Sequence, residues 1–298
     1  MPSPAHFGAI EAGGSKFVCA VGTPDGKLLH RIRIPTTTPA ETLPQVAAFF
    51  RSHGEDLTAI GIGSFGPIEM DRSSPRYGFI TSTPKPGWSQ CDLLGIVRKA
   101  LGVPVAFDTD VNAAARAEAR WGTARGLRSF MYVTVGTGIG AAAMIDKSIL
   151  QGLSHPEMGH IRIPHDLTRD PFAGICPYHG DCLEGLASGP AIAARWKTSP
   201  AALPPEHSAW TLEAEYLALA CVNWISTLVP ERVIFGGGVM RPNIFPIMRS
   251  RVRTLLNSYI DLPELTGDLG SYLVPSTLEP DAGVLGALVL ALQVAGLS

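Results

Sequence analysis

The sequence has little charge and no long apolar run, and these two absences exclude several classes of protein. Only 17% of its 298 residues are charged, with 24 Lys and Arg against 26 Asp and Glu, whereas an average globular protein has about 25%. Because like charges form no continuous run, we expect no nucleic-acid partner. The most apolar stretch, residues 283–298, has 16 residues and falls short of the roughly 20 that span a bilayer. We therefore expect a buried C-terminal helix and no membrane partner.

Cysteine is also scarce, and a secretion signal is missing. The chain has five cysteines, an odd number that does not fit a disulfide framework. Its first four residues lack the basic and apolar regions of a signal peptide, so we expect a cytoplasmic protein in a reducing compartment. Glycine is abundant, with 32 residues, and we expect these glycines at specific turns.

Short apolar runs separated by glycine and Asp-Gly turns occur in two similar sets. Residues 7–35 and residues 130–150 each show the pattern of a strand, turn, strand, turn, strand meander. The glycine turns at Gly13 and Gly138 lie 125 residues apart. Since the intervening segments alternate between strand and helix patterns, we predict a duplicated α/β fold with two lobes and an active cleft between them.

Four residues form a candidate metal site. Cys176, His179 and Cys182 follow the spacing Cys-x-x-His-x-x-Cys, and His160 lies 16 residues before the first cysteine. Two thiolates and two imidazoles complete a tetrahedral zinc site of the structural kind, with no position left for a reactive water. The alternative is four unrelated residues in a loop. We predict a zinc ion that organises this loop.

Two glycine-rich turns are candidates for phosphate binding. Their sequences are Gly13-Gly14-Ser15-Lys16 and Gly136-Thr137-Gly138. Backbone N–H groups and hydroxyls of such turns can cradle phosphates, although either turn alone is equally consistent with an ordinary hairpin. The second turn also fits the dinucleotide fingerprint G-x-G-x-x-A loosely, but a strand pattern follows it where that fingerprint requires a helix. The pairing of the two turns favours phosphate.

Three acidic residues are candidate polar ligands. Asp110 lies between a predicted strand, residues 103–108, and a predicted alanine-rich helix, residues 111–121. Functional groups of α/β folds lie at such strand ends, but a helix N-cap is the alternative role. Glu157 precedes His160 by three residues, and Glu184 follows the second zinc cysteine by two. These two carboxylates are either hydroxyl acceptors for a polyol or solvated surface acids.

Together these motifs resemble the ROK family (repressor, ORF, kinase) of the actin-like ATPase superfold, and most closely its zinc-containing bacterial fructokinases. The resemblance extends from about residue 7 to residue 295. The matching segments are residues 8–16 and 136–140 for phosphate, 236–239 for adenosine, 152–160 for sugar, and 176–191 for zinc and the family signature.

The resemblance implies a role for each candidate residue. Those implied to contact the sugar are Gly66, Thr109, Asp110, Glu157, His160 and Glu184. Those implied to bind ATP and its Mg²⁺ are Glu11, Gly13, Gly14, Ser15, Lys16, Gly136, Thr137, Gly138, Gly189, Gly236, Gly237 and Gly238. Asp110 would be the general base, and Glu11 would hold magnesium through water. His160 would use one ring nitrogen for zinc and the other for the sugar.

Two departures from the common family pattern indicate the branch. Most ROK kinases have Asp in place of Glu11 and Asn in place of Thr109, and both substitutions occur among the fructokinases. The glucokinase branch usually has Cys-x-Cys in place of Cys176-x-x-His179. The family's repressors carry an N-terminal helix-turn-helix, whereas this chain begins its first predicted strand by Phe7, so we expect a kinase and not a regulator.

The family also implies a domain organisation. We expect a small N-terminal α/β domain of residues 1–110, a larger α/β domain with the zinc loop in residues 111–282, and a C-terminal helix from residue 283 that returns to the first domain. The family is usually a homodimer.

The expected activity is that of a fructokinase. It would transfer the γ-phosphate of Mg-ATP to the 6-hydroxyl of D-fructose and produce fructose 6-phosphate. The alternatives within the family are a glucokinase, a mannokinase or a broad hexokinase. A sugar-sensing protein with a relic kinase fold is the non-enzymatic alternative, and a zinc-dependent NAD dehydrogenase fits less well because the predicted zinc is fully ligated.

Overall fold

The computed structural model describes residues 5–53 and 56–297, and the chain forms two compact units. The first unit contains residues up to Arg125, residues 151–155 and residues from Pro280 onward; the second contains residues 126–150 and 156–279. The first unit thus extends beyond residue 110, because the helix that begins there packs against the C-terminal helix of the same unit.

The first unit is built on a five-stranded mixed sheet with the strand order β3-β2-β1-β4-β7. Its strands are β1 (His6–Ala12), β2 (Lys16–Gly22), β3 (Leu28–Pro35), β4 (Leu57–Ser64) and β7 (Val105–Thr109), with a small separate pair, β5 (Phe79–Ile80) and β6 (Cys91–Asp92). Its helices are α1 (Pro39–His53), α2 (Leu93–Leu101), α3 (Asp110–Arg120) and α9 (Ala282–Val294). Strands β1, β4 and β7 run parallel, with Ala12 opposite Ser64 and Ser64 opposite Thr109.

Strand β1 is buried on both faces, which explains its nearly continuous apolar sequence. Side chains alternate between the two faces of a strand. Phe7 and Ala9 belong to a core cluster that includes residues of α9. Ile10 belongs to a second cluster that includes Phe50 of α1. The central sheet therefore lies between helices of its own unit.

The second unit repeats the same architecture, with the strand order β10-β9-β8-β11-β12. Its strands are β8 (Phe130–Val135), β9 (Ile139–Ile145), β10 (Ser148–Ile149), β11 (Val233–Gly236) and β12 (Leu273–Pro275). Its helices are α4 (Leu183–Ala187), α5 (Gly189–Trp196), α6 (Ser208–Leu228), α7 (Ile244–Leu256) and α8 (Pro263–Thr266). The equivalent strand orders confirm the predicted duplicated α/β fold, and the alanine-rich segment after the second glycine turn is a strand, as predicted.

Some short elements have no counterpart in the sequence predictions. Strand β12 has three residues, and β5 and β6 have two each, so none of them is long enough to show an apolar period. Within residues 5–53 and 56–297, no helix combines the length and apolar character needed to cross a membrane.

Helix α9 approaches β4 and α3 so closely that only glycine fits at the contacts. A Cβ atom on Gly61 of β4 would lie 1.9 Å from the carbonyl oxygen of Ala287, and one on Gly286 of α9 would lie 2.0 Å from that of Ala113. These partners are backbone atoms of regular elements, which cannot move aside as a flexible side chain can. Glycines on both sides thus allow α9 to pack directly on the sheet.

We predict that Gly286→Ala destabilises the protein. The added methyl would force α9 away from α3, and overpacking of this kind costs typically about 1–3 kcal/mol. Urea unfolding would measure the loss. Gly152→Ala is the matched control, because its Cβ would meet nothing within 4 Å, and we expect a change below about 0.5 kcal/mol. Equal free energies of unfolding for both variants would contradict the close packing of α9.

Candidate active site

Two loops and one helix start of the first unit meet at one edge of its sheet. Residues 13–16 follow β1, Gly66 follows β4, and Asp110 follows β7. Because β1, β4 and β7 are parallel neighbours in register, their carboxyl ends lie side by side. The N–H group of Phe65 also donates to the carbonyl of Ala12 at 2.8 Å, which joins two of the loops. The structure therefore brings the predicted residues of this unit together.

The first glycine turn is tight on one side and open on the other. The N–H group of Gly13 donates to the carbonyl of Lys16 at 3.0 Å, and a Cβ on Gly13 would lie 2.8 Å from that oxygen. The Thr36 hydroxyl donates to the Gly13 carbonyl at 2.7 Å. A Cβ on Gly14 would meet nothing within 4 Å. The turn is thus held rigidly while its Gly14 side has room for a ligand.

Thr109, and not Asp110, is the N-cap of helix α3. The Thr109 hydroxyl accepts the N–H of Asn112 at 3.1 Å, the contact expected of a helix N-cap. The half-buried Asp110 carboxylate accepts the adjacent N–H of Val111 at 2.8 Å. The capping function weighed for Asp110 is therefore filled by Thr109, one residue earlier.

A buried polar network holds the strand-to-helix turn in place. Asp108 is 4% exposed and accepts hydrogen bonds from the Asn112 side chain at 2.7 Å and from the Thr109 N–H at 2.8 Å. Arg116 pairs with its other carboxylate oxygen at 3.0 Å. Asn112 and Arg116 lie four residues apart on one face of α3, but Asp108 belongs to β7, so no single periodic pattern predicts this network. These contacts fix the backbone that carries Asp110.

Glu11 lies on β1 beside the start of α9. A Cβ on Gly283 would lie 2.6 Å from the carboxyl carbon of Glu11, so the helix start and the carboxylate are in close contact. Magnesium prefers carboxylate and water oxygens as ligands. The Glu11 carboxylate is therefore a suitable donor for a magnesium ion held through water.

In the second unit, three glycine segments meet beside the ends of β8 and β11. The N–H group of Gly189 donates to the carbonyl of Gly136 at 2.8 Å, and the N–H of Val239 donates to that of Val135 at 3.0 Å. Gly237 has a φ of +92°, and a Cβ there would lie 2.3 Å from the carbonyl of Val135. Residues 136–138, Gly189 and residues 236–238 thus form one group.

Glu279 also contributes to this glycine group and was missed from the sequence. One oxygen of its carboxylate accepts hydrogen bonds from the Tyr132 hydroxyl at 2.9 Å and from the Gly237 N–H at 3.1 Å. It lies in a loop after β12, and no motif distinguishes it from other surface acids. Its contacts hold the glycine segment after β11 against β8.

The four candidate metal ligands converge. One donor atom from each of His160, Cys176, His179 and Cys182 lies within 4.8 Å of the others. Nδ1 of His160 lies 3.4 Å from the Cys182 sulfur and 3.7 Å from the Cys176 sulfur, and Nδ1 of His179 lies 3.6 Å from the Cys176 sulfur. Tetrahedral zinc with bonds of about 2.0 Å to nitrogen and 2.3 Å to sulfur separates such atoms by about 3.5 Å. The donors and their spacing fit zinc.

The remaining predicted acids lie next to this metal cluster. Oε1 of Glu184 lies 3.9 Å from Nε2 of His160, the ring nitrogen that faces away from the two thiols. Glu157 precedes the short 3-10 helix Met158–His160. The Glu157 side chain reaches solvent, but the surrounding protein partly desolvates its carboxylate. This desolvation and the negative charge of Glu184 raise the pKa of Glu157 to about 7. The structure thus groups Glu157, His160 and Glu184 as one polar surface.

A buried ion network ties the metal loop to the helices behind it. Asp170 accepts hydrogen bonds from Arg195 at 3.2 Å and from the Tyr216 hydroxyl at 2.5 Å. The His165 side chain, 4% exposed, lies 3.4 Å from Asp181, which sits between two of the metal ligands. This network was not predicted from the sequence, because hydrogen-bonded partners such as Asp170 and Tyr216 are 46 residues apart and follow no local spacing.

Comparisons with known proteins agree with this arrangement. The ROK family model matches residues 7–294. A Bacillus subtilis (strain 168) protein is 50% identical over 288 residues, which are 96% of this chain and 95% of its own. A fructokinase from Pediococcus pentosaceus is 44% identical over 96% of this chain and 97% of its own. The crystal structure of a ROK hexokinase from Thermus thermophilus superposes with a TM-score of 0.73, at 26% identity, over 97% of this chain and 98% of that one.

We predict one tightly bound zinc per chain. Cys176→Ser should lose stoichiometric zinc, because serine does not supply the soft thiolate ligand and the four-residue donor set becomes incomplete. Elemental analysis of the purified protein would measure the ratio. Cys91→Ala is the control, since Cys91 lies on β6 of the other unit, and it should retain zinc. Zinc-free wild-type protein, or a Cys176→Ser variant with full zinc, would contradict the assignment.

Proposed function

The chain belongs to the ROK family of sugar kinases, and we propose that it is a fructokinase that transfers the γ-phosphate of ATP to the 6-hydroxyl of D-fructose. The observation that carries the proposal is the equivalent position of two glycine turns, each directly after the first strand of a repeated sheet. The choice of fructose is supported by the Pediococcus pentosaceus relative, which is a fructokinase. The family membership further supports a homodimer as the working assembly.

The glycine turns would hold the nucleotide. N–H groups of residues 14–16 and residues 137–138 can donate to phosphate oxygens, and the hydroxyls of Ser15 and Thr137 add donors. Gly189 begins α5 after the N-cap Ser188. Its N–H donates to the carbonyl of Gly136, so Gly189 would line the nucleotide site beside the second turn. Residues 236–238 would contact the adenosine.

The polar surface beside the metal cluster would bind the sugar. Carboxylates of Glu157 and Glu184 can accept hydrogen bonds from sugar hydroxyls, and Nε2 of His160 can donate one when Nδ1 is a metal ligand. Gly66 and Thr109 of the first unit are the further residues proposed to contact the sugar. The zinc ion would hold these groups in place without a position for substrate.

Asp110 would act as the general base. Its carboxylate would accept the proton of the 6-hydroxyl as that oxygen attacks the γ-phosphorus and the bond to the β-phosphate oxygen breaks. Magnesium held through water by Glu11 would neutralise charge on the phosphate groups. The protein's contribution to the reaction is mainly the positioning of the two substrates.

A coupled assay for ADP over a panel of free hexoses tests the activity. We expect the highest kcat/KM for D-fructose and lower values for glucose and mannose, with fructose 6-phosphate as the product. A preference for glucose or mannose would show that the sugar substrate was wrongly assigned, while the proposed kinase activity would stand. No turnover with any hexose would favour the sugar-sensing alternative.

Asp110→Asn tests the general base. The amide oxygen of asparagine can still accept the N–H of Val111, so the local structure should persist while the base is lost. General-base catalysis typically contributes about 10²–10⁴ in rate, and we expect kcat to fall by that factor with KM for ATP little changed. The exposed Asp261→Asn is the matched control and should keep full activity. A normal kcat in Asp110→Asn would show that Asp110 is not the general base.

A further inference from the structure

The Glu184 side chain contacts two parts of the second unit that are far apart in sequence. Glu184 lies on α4, two residues after the metal ligand Cys182. Its Oε2 accepts the N–H of Ile139 at 2.9 Å, and Ile139 directly follows the glycine turn of residues 136–138. Its Oε1 lies 3.9 Å from Nε2 of His160. One carboxylate thus faces both the metal cluster and the proposed phosphate-binding turn.

The contact with the glycine turn is close enough to make the two positions interdependent. A Cβ on Gly138 would lie 2.6 Å from Oε2 of Glu184, so the carboxylate occupies the space that any other residue at 138 would need. Within the turn, the N–H of Gly136 donates to the carbonyl of Gly138 at 2.9 Å. A displacement of the carboxylate would therefore change the shape of the whole turn.

The contact with the metal cluster depends on which nitrogen of His160 binds the cation. Nδ1 faces the sulfurs of Cys176 and Cys182 at 3.7 and 3.4 Å, so Nε2 is the nitrogen turned toward Glu184. An imidazole that ligates a metal through one nitrogen carries its proton on the other, and this N–H is commonly oriented by a carboxylate. At 3.9 Å the separation is too long for a direct hydrogen bond, but the Glu184 carboxylate still faces the partial positive charge of this N–H.

We infer that Glu184 is a positioning residue that couples the zinc loop to the nucleotide-binding turn. This inference rests on the proposed function of residues 136–138 as a phosphate site, and it extends the role of Glu184 beyond contact with the sugar. Because coupling between two binding sites is reciprocal, bound zinc strengthens nucleotide binding and bound nucleotide strengthens zinc binding. Loss of the carboxylate weakens both.

Calorimetric titration with magnesium and AMPPNP, a non-hydrolysable ATP analogue, tests the coupling without sugar or turnover. For the zinc-loaded protein we expect Glu184→Ala to raise the Kd for AMPPNP by about 5-fold or more, within the usual range of coupling between sites. Competition with a zinc chelator should show that the same variant binds zinc about 10-fold or more weakly. Glu206→Gln, a substitution of an exposed acid before α6, should leave both affinities at the wild-type values.

Glu184→Gln separates the two contacts. Its amide oxygen can still accept the Ile139 N–H, but its NH₂ group would face the Nε2–H donor of His160, so the link to the zinc loop is lost. We expect the ratio of AMPPNP Kd values between zinc-stripped and zinc-loaded protein to be about 5 or more in the wild type and close to one in this variant.

The outcomes distinguish failure of this inference from failure of the proposed function. Wild-type protein that binds no AMPPNP would overturn the nucleotide site itself. Wild-type protein that binds AMPPNP, together with a zinc-loaded Glu184→Ala variant of unchanged Kd, would overturn the coupling alone. If stripping zinc unfolds the protein, as circular dichroism would show, the comparison of Glu184→Ala with Glu206→Gln in the zinc-loaded state still decides the result.

Discussion

Hydrogen bonds between parallel strands determine where the candidate chemical groups of this protein lie. In the first unit, the ladders from β1 to β4 and from β4 to β7 place Ala12, Ser64 and Thr109 in one row. The backbone register alone makes the residues that follow these strands neighbours. The second unit uses the same constraint, because β8 and β11 are also parallel neighbours. Duplication of one sheet thus produces two sheet edges that carry glycine-rich turns.

Close backbone approach is the second constraint, and it explains why glycine is abundant at a few specific places. Gly61 and Gly286 allow α9 to touch β4 and α3, so this thirteen-residue helix packs directly on the sheet. Gly138 leaves space for a carboxylate, and Gly237 adopts a left-handed φ against β8. The same absence of a side chain therefore serves core packing in one unit and the geometry of a glycine turn in the other.

The metal loop depends on polar contacts because it contains little regular structure. Between β10 and α4, the chain has one short 3-10 helix and an isolated bridge between Cys176 and Gly180. Such a segment gains little from helix or sheet hydrogen bonds. The four candidate metal donors converge within 4.8 Å of one another, and Asp170 attaches the loop to Arg195 of α5 and Tyr216 of α6. These two anchors explain how the loop can hold Glu157 and His160 beside Glu184 of α4.

The sequence by itself determined the features that depend on local chain geometry. The repeated meanders, the glycine turns and the Cys-x-x-His-x-x-Cys spacing are encoded within a few residues, and each has only a few possible conformations. Tertiary structure alone decided the contacts between distant segments. Glu184 and Ile139 are 45 residues apart, and Tyr132 and Glu279 are 147 apart, so no periodic pattern connects them. Their meeting depends on how whole strands and helices pack, which is a property of the folded units and not of any local spacing.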